Sequence, residues 1–155
     1  MLKVTRTNHI GVPVSDLDRS VRWYEDVLGI AANGVTISAD NAALGAVVEV
    51  ENPAMRAAFS LAGDNVLLEL IQYDRPAPKP FEGRNCDVGV MHLCFEVDDM
   101  DSAVRHLKER GVHLNADPVV LASGAGIHAG ELTGTKILYL RDPDGIQLEL
   151  FELPR

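Results

Sequence analysis

Two histidines and two glutamates stand at corresponding places in a chain that states one pattern twice. Asn8–Asp16 reads Asn-His-Ile-Gly-Val-Pro-Val-Ser-Asp, and Met91–Asp99 reads Met-His-Leu-Cys-Phe-Glu-Val-Asp-Asp. An offset of 83 residues brings His9 onto His92, Val14 onto Val97 and Asp16 onto Asp99. Asp18/Asp101, Val21/Val104 and Arg22/Arg105 then coincide as well. Each copy closes on a strand-like segment with a central carboxylate, Leu67-Leu68-Glu69-Leu70-Ile71 and Gln147-Leu148-Glu149-Leu150-Phe151. Two copies argue for paired half-domains, where a solenoid would need three or more.

The chemistry open to this set is metal ligation. Side chains alternate faces along a strand, so Glu69 and Glu149 are carboxylates among apolar neighbours on both faces. Burying an ionised carboxylate without a partner costs several kcal/mol, so such a group is paired, protonated or bound to a metal. A salt bridge, or an edge position facing water, would satisfy either glutamate alone, and a lone strand histidine is ordinarily a core residue. The matched recurrence of both residue types favours one shared site. Imidazole nitrogens with carboxylate oxygens suit borderline divalent ions such as Zn, Ni, Co, Fe and Mn. Four protein ligands leave two positions of an octahedral ion for substrate oxygens, and the ion would polarise a carbonyl.

The elements that must position these groups can be read from periodicity. Val4–Val14 reads as a strand carrying His9, and Ser15 as the N-cap of a helix whose Leu17, Val21, Tyr24 and Leu28 form one stripe. Gly29 stands at its C-terminal cap. Val35–Ser38, Val47–Val50 and Met55–Leu61 read as extended, with Asp40–Ala46 ambiguous. Gly63-Asp64-Asn65 turns the chain into Val66–Tyr73. The second half repeats the plan: strand Val90–Val97, a helix capped by Asp98, extended pieces at Val112–Leu114 and Val119–Ala122, strand Lys136–Leu140, and the turn Asp142-Pro143-Asp144-Gly145. Ile146–Leu153 closes it. Ser123–Gly134, rich in glycine, reads as a mobile loop. The expectation is an α+β fold of two βαβββ modules, residues 1–74 and 88–155, joined by a proline-rich linker at 75–87 within a single domain.

Bulk properties remove several function classes. A chain of 155 residues with a net charge of −9 suits one compact domain, and it makes nucleic acid and anionic membranes poor partners. No run approaches the roughly 20 apolar residues of a membrane span. Without a leader-like N-terminus, and with only Cys86 and Cys94, the chain reads as a reduced cytoplasmic protein.

The sequence resembles the vicinal-oxygen-chelate superfamily, which includes glyoxalase I, methylmalonyl-CoA epimerase, extradiol dioxygenases and fosfomycin- or bleomycin-resistance proteins. The stretches that carry the resemblance are NHIGVPVSDLDRSVRWYEDVLG (8–29), LLELIQY (67–73), MHLCFEVDD (91–99) and YLRDPDGIQLEL (139–150). It implies that each module curls into an open, barrel-like sheet around a metal held by His9, Glu69, His92 and Glu149, the set of glyoxalase-type members. It further implies that Glu69 or Glu149 combines ligation with proton transfer on a small-molecule substrate, and that the protein is a homodimer. His9, His92 and Glu149 alone would match an extradiol dioxygenase triad. Epimerases often carry an amide where Glu69 stands, and bleomycin-binding relatives lack the metal set. Glu49 and Glu51 lie where an epimerase-like relative places a base. His128 is a further acid or base candidate in the Gly-rich loop. Arg56, Lys136 and Arg141 are candidates for holding an anionic substrate group. The expected function is a metal-dependent lyase or isomerase of glyoxalase type, with epimerase, ring-cleaving dioxygenase and antibiotic-binding protein as alternatives.

Overall fold

The computed structural model describes residues 1–122 and 130–154. The chain divides into two compact units, Met1–Pro80 and Phe81–Arg155, and both are mixed α and β.

In the first unit, β1 (Ile10–Pro13) leads into α1 (Leu17–Leu28), followed by β2 (Ala32–Asp40), α2 (Ala42–Val48), β3 (Ala54–Ala62) and β4 (Val66–Arg75). The strands order β1-β4-β3-β2. β1 runs parallel to β4, and the other neighbours are antiparallel. Helix α1 begins where Asp16, in extended conformation, accepts a 2.9 Å hydrogen bond from Arg19 N. It ends at Gly29, whose φ of 70° supplies the left-handed cap. Leu17, Ser20, Tyr24 and Val27 form its buried face, and Leu68 and Leu70 of β4 are fully buried.

The second unit repeats this with β5 (Leu93–Glu96), α3 (Met100–Glu109), β6 (Val119–Val120), β7 (Lys136–Arg141) and β8 (Gln147–Glu152), in the order β5-β8-β7-β6. Asp99 caps α3 through Asp101 N and Ser102 N at 3.0 and 3.1 Å. Met100, Leu107, Leu138, Leu140 and Leu148 make its core. Each sheet is open, with two edge strands.

Several expectations are corrected. β1 and β5 are shorter than the hydrophobic runs suggest, and His9 and His92 each sit one residue before their strand. The helix caps are Asp16 and Asp99 rather than Ser15 and Asp98, because a side chain at those later positions reaches the free amides of the first turn. Val47–Val50 is not extended. Asn41 accepts from Leu44 N at 2.8 Å and starts α2, and Ala42, Ala43 and Leu44 carry it through Val47 and Val48. Val112–Leu114 contributes only an isolated bridge, Leu114 to Leu140. His128 and most of Ser123–Gly134 lie outside the described residues. Cys86 and Cys94 are both free and exposed.

Candidate functional site

Glu69 lies on β4, the central partner of both β1 and β3. Its cross-strand neighbours are Gly11 on one side and Phe59 on the other. Leu68 and Leu70, each 0% exposed, anchor the opposite face of the strand, so alternation turns the Glu69 side chain away from that core. His9, at the foot of β1, places Nε2 3.2 Å from Glu69 Oε2, and its ring stands edge-on to Phe59 at 5.9 Å.

The second unit builds the same arrangement. Glu149 on β8 is flanked by Cys94 of β5 and Tyr139 of β7. His92 Nε2 is 3.1 Å from Glu149 Oε2, and its ring stands edge-on to Tyr139 at 5.4 Å. In both pairs the carboxylate is the sheltered partner, with side-chain exposures of 13% and 11%, and the imidazole is the open one, at 41% and 44%.

The donor chemistry fits a cation. His9 Nδ1 lies 2.8 Å from Asn8 Oδ1. With that oxygen as acceptor, a neutral ring carries its proton on Nδ1 and turns the Nε2 lone pair toward Glu69. Two electron-pair donors then face each other at 3.2 Å, which calls for a proton or a metal ion between them. Adjacent ligands on an ion with bonds of about 2.0–2.2 Å stand about 3.0–3.4 Å apart. Among the described residues, no group of three or more His, Cys, Asp or Glu side chains is placed so that it could hold a metal. Each unit contributes one imidazole and one carboxylate.

The halves differ in what surrounds the carboxylate. Burial, then the hydrogen bond to Glu149 and that group's charge, push the Tyr139 hydroxyl up to about 12. The Cys94 thiol is pushed up to about 12 as well, chiefly by desolvation and then by the Glu149 charge and hydrogen bond. Both remain neutral hydrogen-bond donors at ordinary pH. Gly11 and Phe59 offer Glu69 no side-chain donor. The sequence pattern alone does not mark Tyr139 or Phe59, and it marks Cys94 only as one of two cysteines. The available signal was a second offset: 80 residues relate Phe59 to Tyr139 as well as Glu69 to Glu149.

The secondary candidates fall elsewhere. Glu49 is exposed and caps α2 in left-handed conformation, φ 54°, with its backbone N–H bonded to Gly45 O. That position, with Glu51 also exposed after it, replaces the extended stretch expected to aim a base. Arg56 pairs with Asp74 at 3.3 Å, and Lys136 reaches Glu152 and Asp101 at 3.4 and 3.5 Å. Arg141 donates to Gly145 O at 2.7 Å. All three cations already hold partners within their own unit.

Residues 6–150 match the family profile described as Glyoxalase/Bleomycin resistance protein/Dioxygenase superfamily. The chain belongs to that superfamily. Among superfamily relatives, it is 32% identical over 151 residues to a 2-epi-5-epi-valiolone epimerase of an Actinomyces species, covering 95% of this chain and 79% of the relative. It is 26% identical over 150 residues to the mitochondrial methylmalonyl-CoA epimerase of Mus musculus, covering 96% and 73%. A solved glyoxalase-family protein of Bacillus cereus superposes with a TM-score of 0.75 at 20% identity, covering 99% of this chain and 97% of that one, and so shares the fold. No helix among the described residues is long and apolar enough to cross a membrane.

Proposed function

We propose that the pairs His9/Glu69 and His92/Glu149 are ligands to a divalent transition ion, and that the protein is a metal-dependent isomerase whose reaction is epimerisation beside a carbonyl. The observation that carries this reading is the pair of His–Glu contacts, 3.2 and 3.1 Å, at matching positions of two open sheets. When bound, the ion supplies Lewis acidity to a substrate carbonyl and so acidifies the neighbouring C–H. The histidines serve as neutral nitrogen ligands. The two carboxylates are the acid–base pair: one removes the proton, the C–H electron pair moves into the carbonyl, and the other returns a proton to the opposite face.

The similarity to epimerases supports this choice of reaction. The commitment of Arg56, Lys136 and Arg141 to internal partners, with a net charge of −9, favours a small neutral hydroxyketone over a CoA thioester. A glyoxalase-type lyase is the second reading, and the carboxylate at Glu69 favours it, because epimerases often carry an amide there. A homodimer is the expected assembly.

The test starts from metal analysis of untagged protein. About one Ni, Zn or Co ion per chain is expected, with loss on Glu69→Gln and on Glu149→Gln. Incubation in D2O with 2-epi-5-epi-valiolone or with methylmalonyl-CoA then reads deuterium incorporation next to the carbonyl. Retention of both metal and turnover in the two variants would sink the proposal. An iron-loaded protein that consumes oxygen with catechols would replace it with ring cleavage.

A further inference from the structure

Glu69 and Glu149 occupy equivalent places but are not equivalently held. On β4 the carboxylate passes between a glycine and a phenylalanine, Gly11 and Phe59. On β8 it passes between a thiol and a phenol, Cys94 and Tyr139. The aromatic position is conserved between the halves in its packing, since each ring meets its histidine edge-on, at 5.9 and 5.4 Å. At the aromatic position the difference is a single oxygen, and at the other Cys94 stands where Gly11 has no side chain. Leu138 and Leu140, on either side of Tyr139, point into the core and are 2% and 0% exposed. Tyr139 therefore faces the site and is not needed to fill the core.

We propose that Tyr139 is a positioning residue of this half-site, its hydroxyl holding the Glu149 carboxylate in the orientation that faces His92. This rests on the reading of His92 and Glu149 as metal ligands. A partner hydrogen-bonded to a ligating carboxylate limits its rotation and leaves one oxygen aimed at the ion, and removal of such a partner typically costs about 10–100-fold in metal affinity. Hydroxyl anchoring makes Glu149 the fixed carboxylate. Glu69 has no such donor at its paired strand positions, Gly11 and Phe59, and meets its histidine, His9 Nε2, at 3.2 Å.

The experiment compares metal-free wild-type protein with Tyr139→Phe, Glu149→Gln and Glu69→Gln. Each is titrated calorimetrically with Ni2+, and its Co2+ complex is read by visible absorption. Tyr139→Phe keeps the ring and its edge-on contact, and it reproduces the Phe59 arrangement of the other half. The expected result is at least about tenfold weaker Ni2+ binding, an altered Co2+ spectrum, and an unchanged melting temperature of the metal-free protein. Wild-type affinity and spectrum in Tyr139→Phe, with binding weakened in Glu149→Gln, would overturn this inference and leave the metal site standing. A lowered metal-free melting temperature with an unchanged Co2+ spectrum would also overturn it, by assigning the hydroxyl to folding. Absence of binding by the wild type would remove the metal site itself.

Discussion

Gly11→Ala and Gly45→Ala make the same chemical change and are expected to move stability in opposite directions. Gly45 lies within α2, where an alanine would ordinarily gain about 0.8–1.0 kcal/mol of helix propensity. Here, however, a Cβ would stand 2.6 Å from the backbone oxygen of Val50 and 2.9 Å from Cδ of the buried Pro53. Neither is the free end of a flexible side chain, so the segment 50–53 must move. Overpacking of this kind costs about 1–3 kcal/mol. The movement also strains the bonds that Glu49 N and Val50 N donate to Gly45 O, each worth about 0.5–1.5 kcal/mol. The net expectation is a loss of about 1–3 kcal/mol, which at about 2–4 °C per kcal/mol for this size lowers the melting temperature by about 2–12 °C. Gly11 is the opposite case. A Cβ there would lie 3.4 Å from Ile71 Cδ1 and 3.8 Å from Glu69 Oε2, ordinary contact distances, and Cys94 already fills the matching place in the other sheet. Reduced freedom of the unfolded chain should add about 0.4–1 kcal/mol, a rise of about 1–4 °C. Thermal unfolding of the metal-free proteins by far-ultraviolet circular dichroism decides it. A Gly45→Ala variant melting at or above wild type would refute the packing argument, and a Gly11→Ala variant melting several degrees below wild type would refute the other half.

Two further predictions concern the second unit. In metal-free protein at pH 8, Cys94 should react with iodoacetamide at least about tenfold more slowly than the exposed Cys86, because a raised pKa keeps it a thiol. Glu149→Gln should narrow that gap, and equal rates for the two cysteines in wild type would count against the raised pKa. Asp142 is 6% exposed, and its Oδ1 accepts from Asp144 N at 2.9 Å and Ile146 N at 2.8 Å. Asp142→Ala should therefore cost about 1–3 kcal/mol by urea unfolding, with Asp142→Asn losing less. An alanine variant as stable as wild type would show the turn to be self-sufficient.

Local signals placed most of the elements. The helices α1 and α3, the turn at Gly63–Asn65 and the paired strands were legible because an amphipathic stripe or a turn residue acts within a few positions. α2 was not. The β-branched Val47, Val48 and Val50 argue for a strand, and only the Asn41 cap, seen in three dimensions, shows which propensity won. The four candidate ligands were legible through repetition, since His9/His92 and Glu69/Glu149 recur with their surroundings. Their neighbours were hidden, because Tyr139 meets Glu149 only through the register of β7 on β8. A one-residue slip would have turned it to the other face.

The parallel pairing of β1 with β4 and of β5 with β8 has a consequence for the order in which the chemistry comes into being. β3–β4 and β7–β8 are hairpins joined by short turns and close cheaply. Joining Ile10 to Leu68, or Leu93 to Leu148, closes nearly a whole unit and carries the larger loop entropy. Each glutamate is thus expected to be seated in its hairpin first, with its histidine reaching it on the long-range closure, so that the His–Glu contact forms late in the folding of its unit. Opening of the parallel pairing alone would therefore leave each carboxylate in its hairpin without its imidazole, as half of a ligand pair.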